Sequence, residues 1–223
     1  MFKRLLKRLV RGRYHGLNGL DKKMEAYLDY DGGYFVELGA NDGVSQSNTL
    51  YYEKYRHWKG LLVEPAPHNY LKCRANRAAA TSIHCAACVS FGYEREFVRI
   101  AYSNLMSTPL GLTTDILDPM AHARSGRVFL GKTEDVFEYG AVARTLDQLL
   151  RESGAPALID FLSLDVKGAD LEVLAGVDHG AFRFKYILVE CRDFERMQHY
   201  LGAVDYAFVD TLSDHDYLFR STR

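Results

Sequence analysis

The sequence predicts an α/β protein, a mostly parallel sheet with helices on both faces and an antiparallel hairpin at its C-terminal end. Three observations carry this. Short apolar runs of strand length alternate with segments of helical periodicity at both ends of the chain. Several of those runs end on an acid, at Glu64, Asp165 and Glu190. The tail places Tyr206-Ala207-Phe208-Val209 and Tyr217-Leu218-Phe219 on either side of a polar turn, which is a hairpin signature. Repeated β-α units bury both faces of a parallel sheet.

The elements follow in order. Leu20, Met24, Tyr27 and Leu28 recur at helical spacing, and Asp31-Gly32-Gly33 ends that segment before a strand over 34–38. After a glycine turn, Ser47 or Asn48 caps a helix to about Tyr55, and 60–63 is the second strand. Pro65 and Pro67 punctuate, Pro67 suiting the first turn of a helix over 68–76, and a third strand covers 82–86. Regular alternation breaks down between 90 and 143, where 96–101 reads as a strand and 103–109 as a loop. Inserts over strand ends are where α/β enzymes place substrate contacts, so 90–143 is the expected acceptor-binding insert. Thr145-Leu146-Asp147-Gln148 is a capping box opening the next helix. Residues 158–164 form a buried strand ending at Asp165, 169–174 a helix, and 186–189 a strand ending at Glu190. Asp193 then caps a helix carrying Phe194, Met197 and Leu201.

Length and composition bound the class. A chain of 223 residues with 48% hydrophobic content and 13% aromatics builds a full core. Cys85 and Cys88 spell C-x-x-C, but no second pair completes a zinc site, so the thiols read as buried and reduced, in keeping with a cytoplasmic protein, and no metal is expected. The first thirteen residues hold six of the 28 basic residues and no acid, leaving 22 basic against 29 acidic residues, a net −7, over the rest. So acidic a body argues against nucleic-acid binding. Residues 1–19 form a basic amphipathic segment ahead of a domain over 20–223. Residues 1–13 suit either peripheral contact with an anionic membrane surface or a locally packed or frayed helix, and are expected to be dispensable for turnover.

The site is written in Glu37-Leu38-Gly39-Ala40-Asn41-Asp42-Gly43 and, about twenty-five residues on, in Leu61-Leu62-Val63-Glu64. A glycine turn after one strand lets backbone approach a ligand, and an acid at the tip of the next strand accepts from two ribose hydroxyls. Neither G-x-G-x-x-G nor a phosphate-cradling loop followed by Lys-Ser/Thr is present. The pattern suits S-adenosylmethionine (SAM) better than NAD or ATP.

Four stretches in order resemble the FkbM-like SAM-dependent methyltransferases: residues 35–43 with Ser47-Asn48-Thr49, residues 62–67, residues 145–150, and residues 161–174. The resemblance implies a Rossmann-like fold with a seven-stranded sheet, and methyl transfer, most often to oxygen, onto a small-molecule or glycan acceptor. On this reading Glu37, Gly39, Ala40, Asn41 and Gly43 back the methionine moiety, and Glu64 with Pro65 holds the ribose. Ala86 and Ala87 let the adenine lie flat, and Asp165 sits beside the sulfonium or the acceptor. The family pattern after the fourth strand runs D-V-E-G-A-E, whereas this chain has Asp165-Val166-Lys167-Gly168-Ala169-Asp170, so no acidic role carries over to Lys167. An ammonium there would stabilise ionised Asp165, attract an anionic acceptor, or point to solvent. His57, His68 and His84 are candidate bases by type alone. A branched side chain at Gly39 is expected to block the ligand and spare the fold. A non-catalytic module on the same fold is the second reading. A nucleotide-dependent oxidoreductase is the third, with the missing G-x-G-x-x-G against it.

Overall fold

The computed structural model of the protein describes residues 12–223. Helix α1 (Leu20–Met24) leads into β1 (Tyr34–Leu38), then α2 (Leu50–Tyr55), β2 (Lys59–Val63), α3 (Pro67–Asn76) and β3 (Ser82–His84). Next come β4 (Ala87–Cys88), β5 (Phe97–Tyr102), β6 (Thr108–Leu110), α4 (Pro119–Ser125) and β7 (Phe137–Arg144). Alternation resumes with α5 (Leu146–Glu152), β8 (Leu158–Leu164), α6 (Asp170–Leu174), β9 (Arg183–Glu190) and α7 (Phe194–Ala203). The hairpin β10 (Tyr206–Thr211) and β11 (Asp216–Ser221) closes the chain.

Seven strands form one sheet in the order β10-β11-β9-β8-β1-β2-β3. The strands from β3 to β9 are parallel, and β11 runs antiparallel to both β9 and β10. This is the architecture the sequence predicts. Successive strand residues serve opposite faces, as the period of two requires. Val36, Leu38, Leu162 and Leu164 pack with Leu146, Leu149 and Leu150 of α5 and Leu201 of α7. Phe35, Leu62 and Phe161 pack on the other side with Leu20 and Met24 of α1, Tyr51, Tyr52 and Trp58. The Thr145 capping box forms as expected, and the Asp193 side chain accepts from the Arg196 N–H at the head of α7.

Two parts differ from expectation. Strand three stops at His84 rather than residue 86, because Ala87 and Cys88 pair with Ala143 and Arg144 of β7 instead of continuing beside β2. The 90–143 segment is more regular than its sequence suggests. Strands β4, β7, β5 and β6 make a second sheet, with β5 antiparallel to both β6 and β7.

The expected amphipathic segment over 1–19 lies outside the described residues up to residue 11. Arg13 sits over the Tyr55 ring at 4.6 Å, Tyr14 stacks on Tyr51 at 4.8 Å, and Gly16 bridges to Gln46. Residues 13–19 therefore pack on the domain, and no structural break falls at residue 19. Among the described residues no helix is long and apolar enough to cross a membrane.

Candidate active site

Register aligns the site. Leu38 pairs with Val63 on one side and Leu164 on the other, and Leu164 pairs with Val189. The next residues, Gly39, Glu64, Asp165 and Glu190, therefore leave the sheet along one edge. Asp216, the register partner of Glu190, opens β11 at the same edge. Strand order reverses between β1 and β8, which is where open α/β sheets bind ligands. All five residues line one cavity of about 1230 Å³, part of it open to solvent.

Glu64 is 6% exposed. Its Oε2 accepts from the Asn41 N–H at 2.8 Å and its Oε1 from the Ala66 N–H at 2.9 Å. A carboxylate oxygen has two lone pairs, so each retains one for a ligand. Burial pushes this carboxyl up to about 7, the nearby Asp42 charge adding to the rise while the two N–H bonds oppose it. Ala40, Asn41, Pro65, Ala86 and Ala87 line the same wall. Ala86 and Ala87 bring no side chain beyond Cβ, which leaves a flat surface for a planar group.

Glu37 lines the cavity with Oε2 fully engaged and one lone pair left on Oε1. Oε1 accepts from the Asn48 N–H, and Oε2 from the Ser47 and Thr49 hydroxyls and, at 3.4 Å, from Arg77. Its part is to hold the 47–49 loop against β1. Gly43, expected beside the methionine moiety, does not line the cavity. A Cβ there would meet Arg77 Cγ and Cys73 Sγ at 2.9 Å, so its small size admits the Arg77 side chain rather than a ligand. Gly39 does line the cavity, yet at φ +80° its added Cβ would fall 2.2 Å from the Asp165 carbonyl oxygen. The expectation that a branched side chain at 39 spares the fold is therefore overturned. Left-handed backbone alone costs a Cβ-bearing residue ~1–2 kcal/mol. Gly39→Ala is expected to lower the melting temperature by several degrees, each ~1 kcal/mol being about 2–4 °C at this size. A thermal melt checks it.

At the other end of the cavity Lys167 Nζ lies 2.8 Å from Asp165 and 3.4 Å from Glu190, its side chain 15% exposed. Lys167 does not point to solvent. Burial pulls its ammonium down, but Asp165 and Glu190 outweigh that and hold it above its ordinary value. Burial raises the Glu190 carboxyl, the Asp165 charge adding and Lys167 opposing. Burial likewise raises Asp216, against the Ser213 hydroxyl that donates to it.

The second sheet roofs the cavity with Ile100, Asn104, Leu105, Ser107, Pro109 and Leu112. Asn41 Nδ2 donates to Asn104 Oδ1 at 2.9 Å, tying roof to turn. Leu17 and Leu20 close the side. His57, His68 and His84 do not line the cavity: His68 bonds the Tyr102 hydroxyl and His84 the Ser153 hydroxyl.

The model of the methyltransferase FkbM domain family matches residues 37–219. The chain belongs to that family. The FkbM methyltransferase domain is similar in fold to the crystal structure of methyltransferase FkbM from Methylobacillus flagellatus KT, with a TM-score of 0.52 at 15% identity. That match covers 87% of this chain and 45% of the other, so the chain spans under half the length of that protein. Two further structures align. A human methyltransferase 10 domain containing protein gives a TM-score of 0.42 at 10% identity, covering 92% of this chain and 80% of that one. A SAM dependent methyltransferase from Aquifex aeolicus gives 0.37 at 12%, covering 90% and 86%. No curated protein matches the chain in sequence.

The cofactor of this FkbM methyltransferase domain is SAM. The residues present fit it on an observation of their own: the buried Glu64 carboxyl keeps one lone pair on each oxygen beside a wall of small residues.

Proposed function

We propose that the protein transfers the methyl group of SAM to a hydroxyl oxygen of a small or carbohydrate-like acceptor. The observation that supports this most is the shared register of β2, β1 and β8. It sets Glu64 and Asp165 on opposite sides of Gly39, along one cavity. Bound SAM supplies an electrophilic methyl. Glu64 receives the ribose hydroxyls, Ala86 and Ala87 face the adenine, and the 39–41 turn backs the methionine end. Asp165 orients the acceptor hydroxyl and takes its proton as the new C–O bond forms and the C–S bond breaks. Lys167, held by Asp165 and Glu190, keeps that carboxylate in place. The roof from the second sheet excludes water from the transfer.

Methyl-transfer assays over sugars, nucleotide sugars and small phenols, with the methylated position read by mass spectrometry and NMR, test the proposal. O-methylated product supports it. Methylation at carbon or nitrogen alone, or binding of NAD in place of SAM, overturns it.

Glu64 gives the site a pH signature. In the ligand-free protein its raised pKa means the ionised form is disfavoured. That penalty is absent in the ordinary carboxylate range and complete above about 7, so stability falls as pH rises through this window. Ribose hydroxyls donating to the carboxylate favour its ionised form. SAM binding then expels a proton, and affinity rises with pH, by up to about tenfold per unit, levelling off above about 7. Calorimetry across pH in buffers of different ionisation enthalpy measures both effects, and Glu64→Gln is expected to flatten the slope.

A further inference from the structure

The acceptor end of the cavity is built from the edge of three neighbouring strands, and each contributes a carboxylate. Asp165 follows β8, Glu190 ends β9, and Asp216 opens β11. Glu190 and Asp216 are register partners across β9 and β11, so their side chains share one face of the sheet. All three line the cavity, and Lys167 is the one cation among its lining residues. Lys167 is already committed between Asp165 and Glu190. Arg192, the next cation along the chain from Glu190, does not line the cavity and lies 3.7 Å from Asp115. Three carboxylates against one ammonium leave two negative charges, and the net single positive charge of bound SAM offsets one of them. A negative acceptor end remains with the donor in place.

That balance disfavours the recruitment of a phosphate- or carboxylate-bearing acceptor by Lys167. A like-charged ligand would enter a partly buried site against uncompensated carboxylates, which costs binding. A cationic ligand would meet Asp216, which has no ammonium partner among the described residues, beside Glu190, whose Lys167 contact is 3.4 Å and shared with Asp165. Burial and the Asp165 charge raise both Glu190 and Asp216 against the opposing Lys167, and an ammonium placed between them favours both ionised forms. The roof above is partly apolar, through Ile100, Leu105, Pro109 and Leu112, so it accepts a carbon skeleton rather than a fully hydrated ion.

We infer that the acceptor carries a protonated amine, which sits against Glu190 and Asp216 while its hydroxyl meets Asp165. An amino sugar or a hydroxylated aryl amine has this chemistry. The inference rests on the methyltransferase reading above and narrows its acceptor to the cationic class. The transfer itself is unchanged: the methyl leaves sulfur for the hydroxyl oxygen, the hydroxyl proton goes to Asp165, and the ammonium keeps its charge throughout.

Two probe sets with one skeleton each test it. One is glucosamine, glucose and glucuronate; the other is tyramine, tyrosol and 4-hydroxyphenylacetate. Binding to the full chain is measured by calorimetry in saturating S-adenosylhomocysteine, at a pH where the amines are protonated and the acids ionised. The amine of at least one set is expected to bind tenfold or more tighter than its neutral partner, with the carboxylate the weakest. Asp216→Asn is expected to bring amine and neutral partner to within about threefold. Glu190→Gln is the second variant, because Asp216 also receives the Ser213 hydroxyl and its loss can disturb the β11 turn. Carboxylate binding equal to or tighter than amine binding, no binding of either amine, or an amine preference untouched by both variants overturns the inference. S-adenosylhomocysteine binding, measured first, separates the two readings. Its absence strikes the methyltransferase proposal, whereas its presence without an amine preference strikes this inference alone.

Discussion

Glu64→Ala is expected to weaken SAM binding by roughly a hundredfold or more. Two hydrogen bonds from ribose hydroxyls to a carboxylate are worth ~1.5–3 kcal/mol each. Ionising a carboxyl that burial holds up at about 7 takes back part of that gain near neutral pH. Every ~1.4 kcal/mol that remains is tenfold in affinity. The same side chain holds the Asn41 and Ala66 N–H groups, so its removal leaves two buried donors without their partner. Against that loss stands relief from burying a carboxyl that prefers to be neutral, so stability changes less than affinity. Calorimetry with SAM, alongside a thermal melt of the ligand-free variant, separates the two. Equal affinity in wild type and Glu64→Ala removes Glu64 from the ribose site.

How much of this site the sequence discloses depends on how local each contact is. Glu64, Asp165 and Glu190 are legible because each directly follows or ends an apolar strand, and parallel strands in register bring such ends to one edge. Asp216 is not legible the same way. It begins an antiparallel strand, and only the pairing with Glu190 reveals that the start of β11 shares an edge with the end of β9. The turn glycines look alike in sequence and differ in use. Gly39 yields to the β8 backbone and Gly43 to the Arg77 side chain, contacts with residues 126 and 34 positions away that no turn signature encodes. Glu37 has a structural partner that no local pattern shows, Arg77, forty residues downstream and beyond α3.

The roof was the least legible part. Strand β7 reads Phe137-Glu138-Tyr139-Gly140-Ala141-Val142-Ala143-Arg144, and Phe137 and Val142 are half-exposed, so its apolar residues do not alternate with polar ones. Its pairing with β5 spans about forty residues of chain, and its short parallel contact with β4 about fifty-five. Such a sheet is held by long-range pairing rather than local pattern. Asn104 joins the site only because that sheet folds back over the 39–41 turn.

Asp165→Asn is expected to lower the methyl-transfer rate by roughly 10²–10⁴-fold, the range for losing a positioned base, while SAM affinity changes little. The amide keeps the shape of the carboxylate but cannot take the acceptor proton, and it leaves Glu190 as the one charged partner of Lys167. Both kcat and kcat/KM should fall together, since the lost interaction belongs to the transition state. Lys167 provides the contrast. Its ammonium stands between two carboxylates with little solvent access, so Lys167→Met sets Asp165 and Glu190 against each other across an apolar side chain. Breaking a buried pair by removing one partner is strongly destabilising, so this variant should first show a lower melting temperature. Lys167→Glu, with three acids in the same space, should be worse. A folded Lys167→Met enzyme of wild-type stability would mean that the ammonium is not needed to hold the two acids. Full methyl transfer by Asp165→Asn would place the proton's acceptor elsewhere along the edge, with Glu190 the nearest carboxylate left to take it.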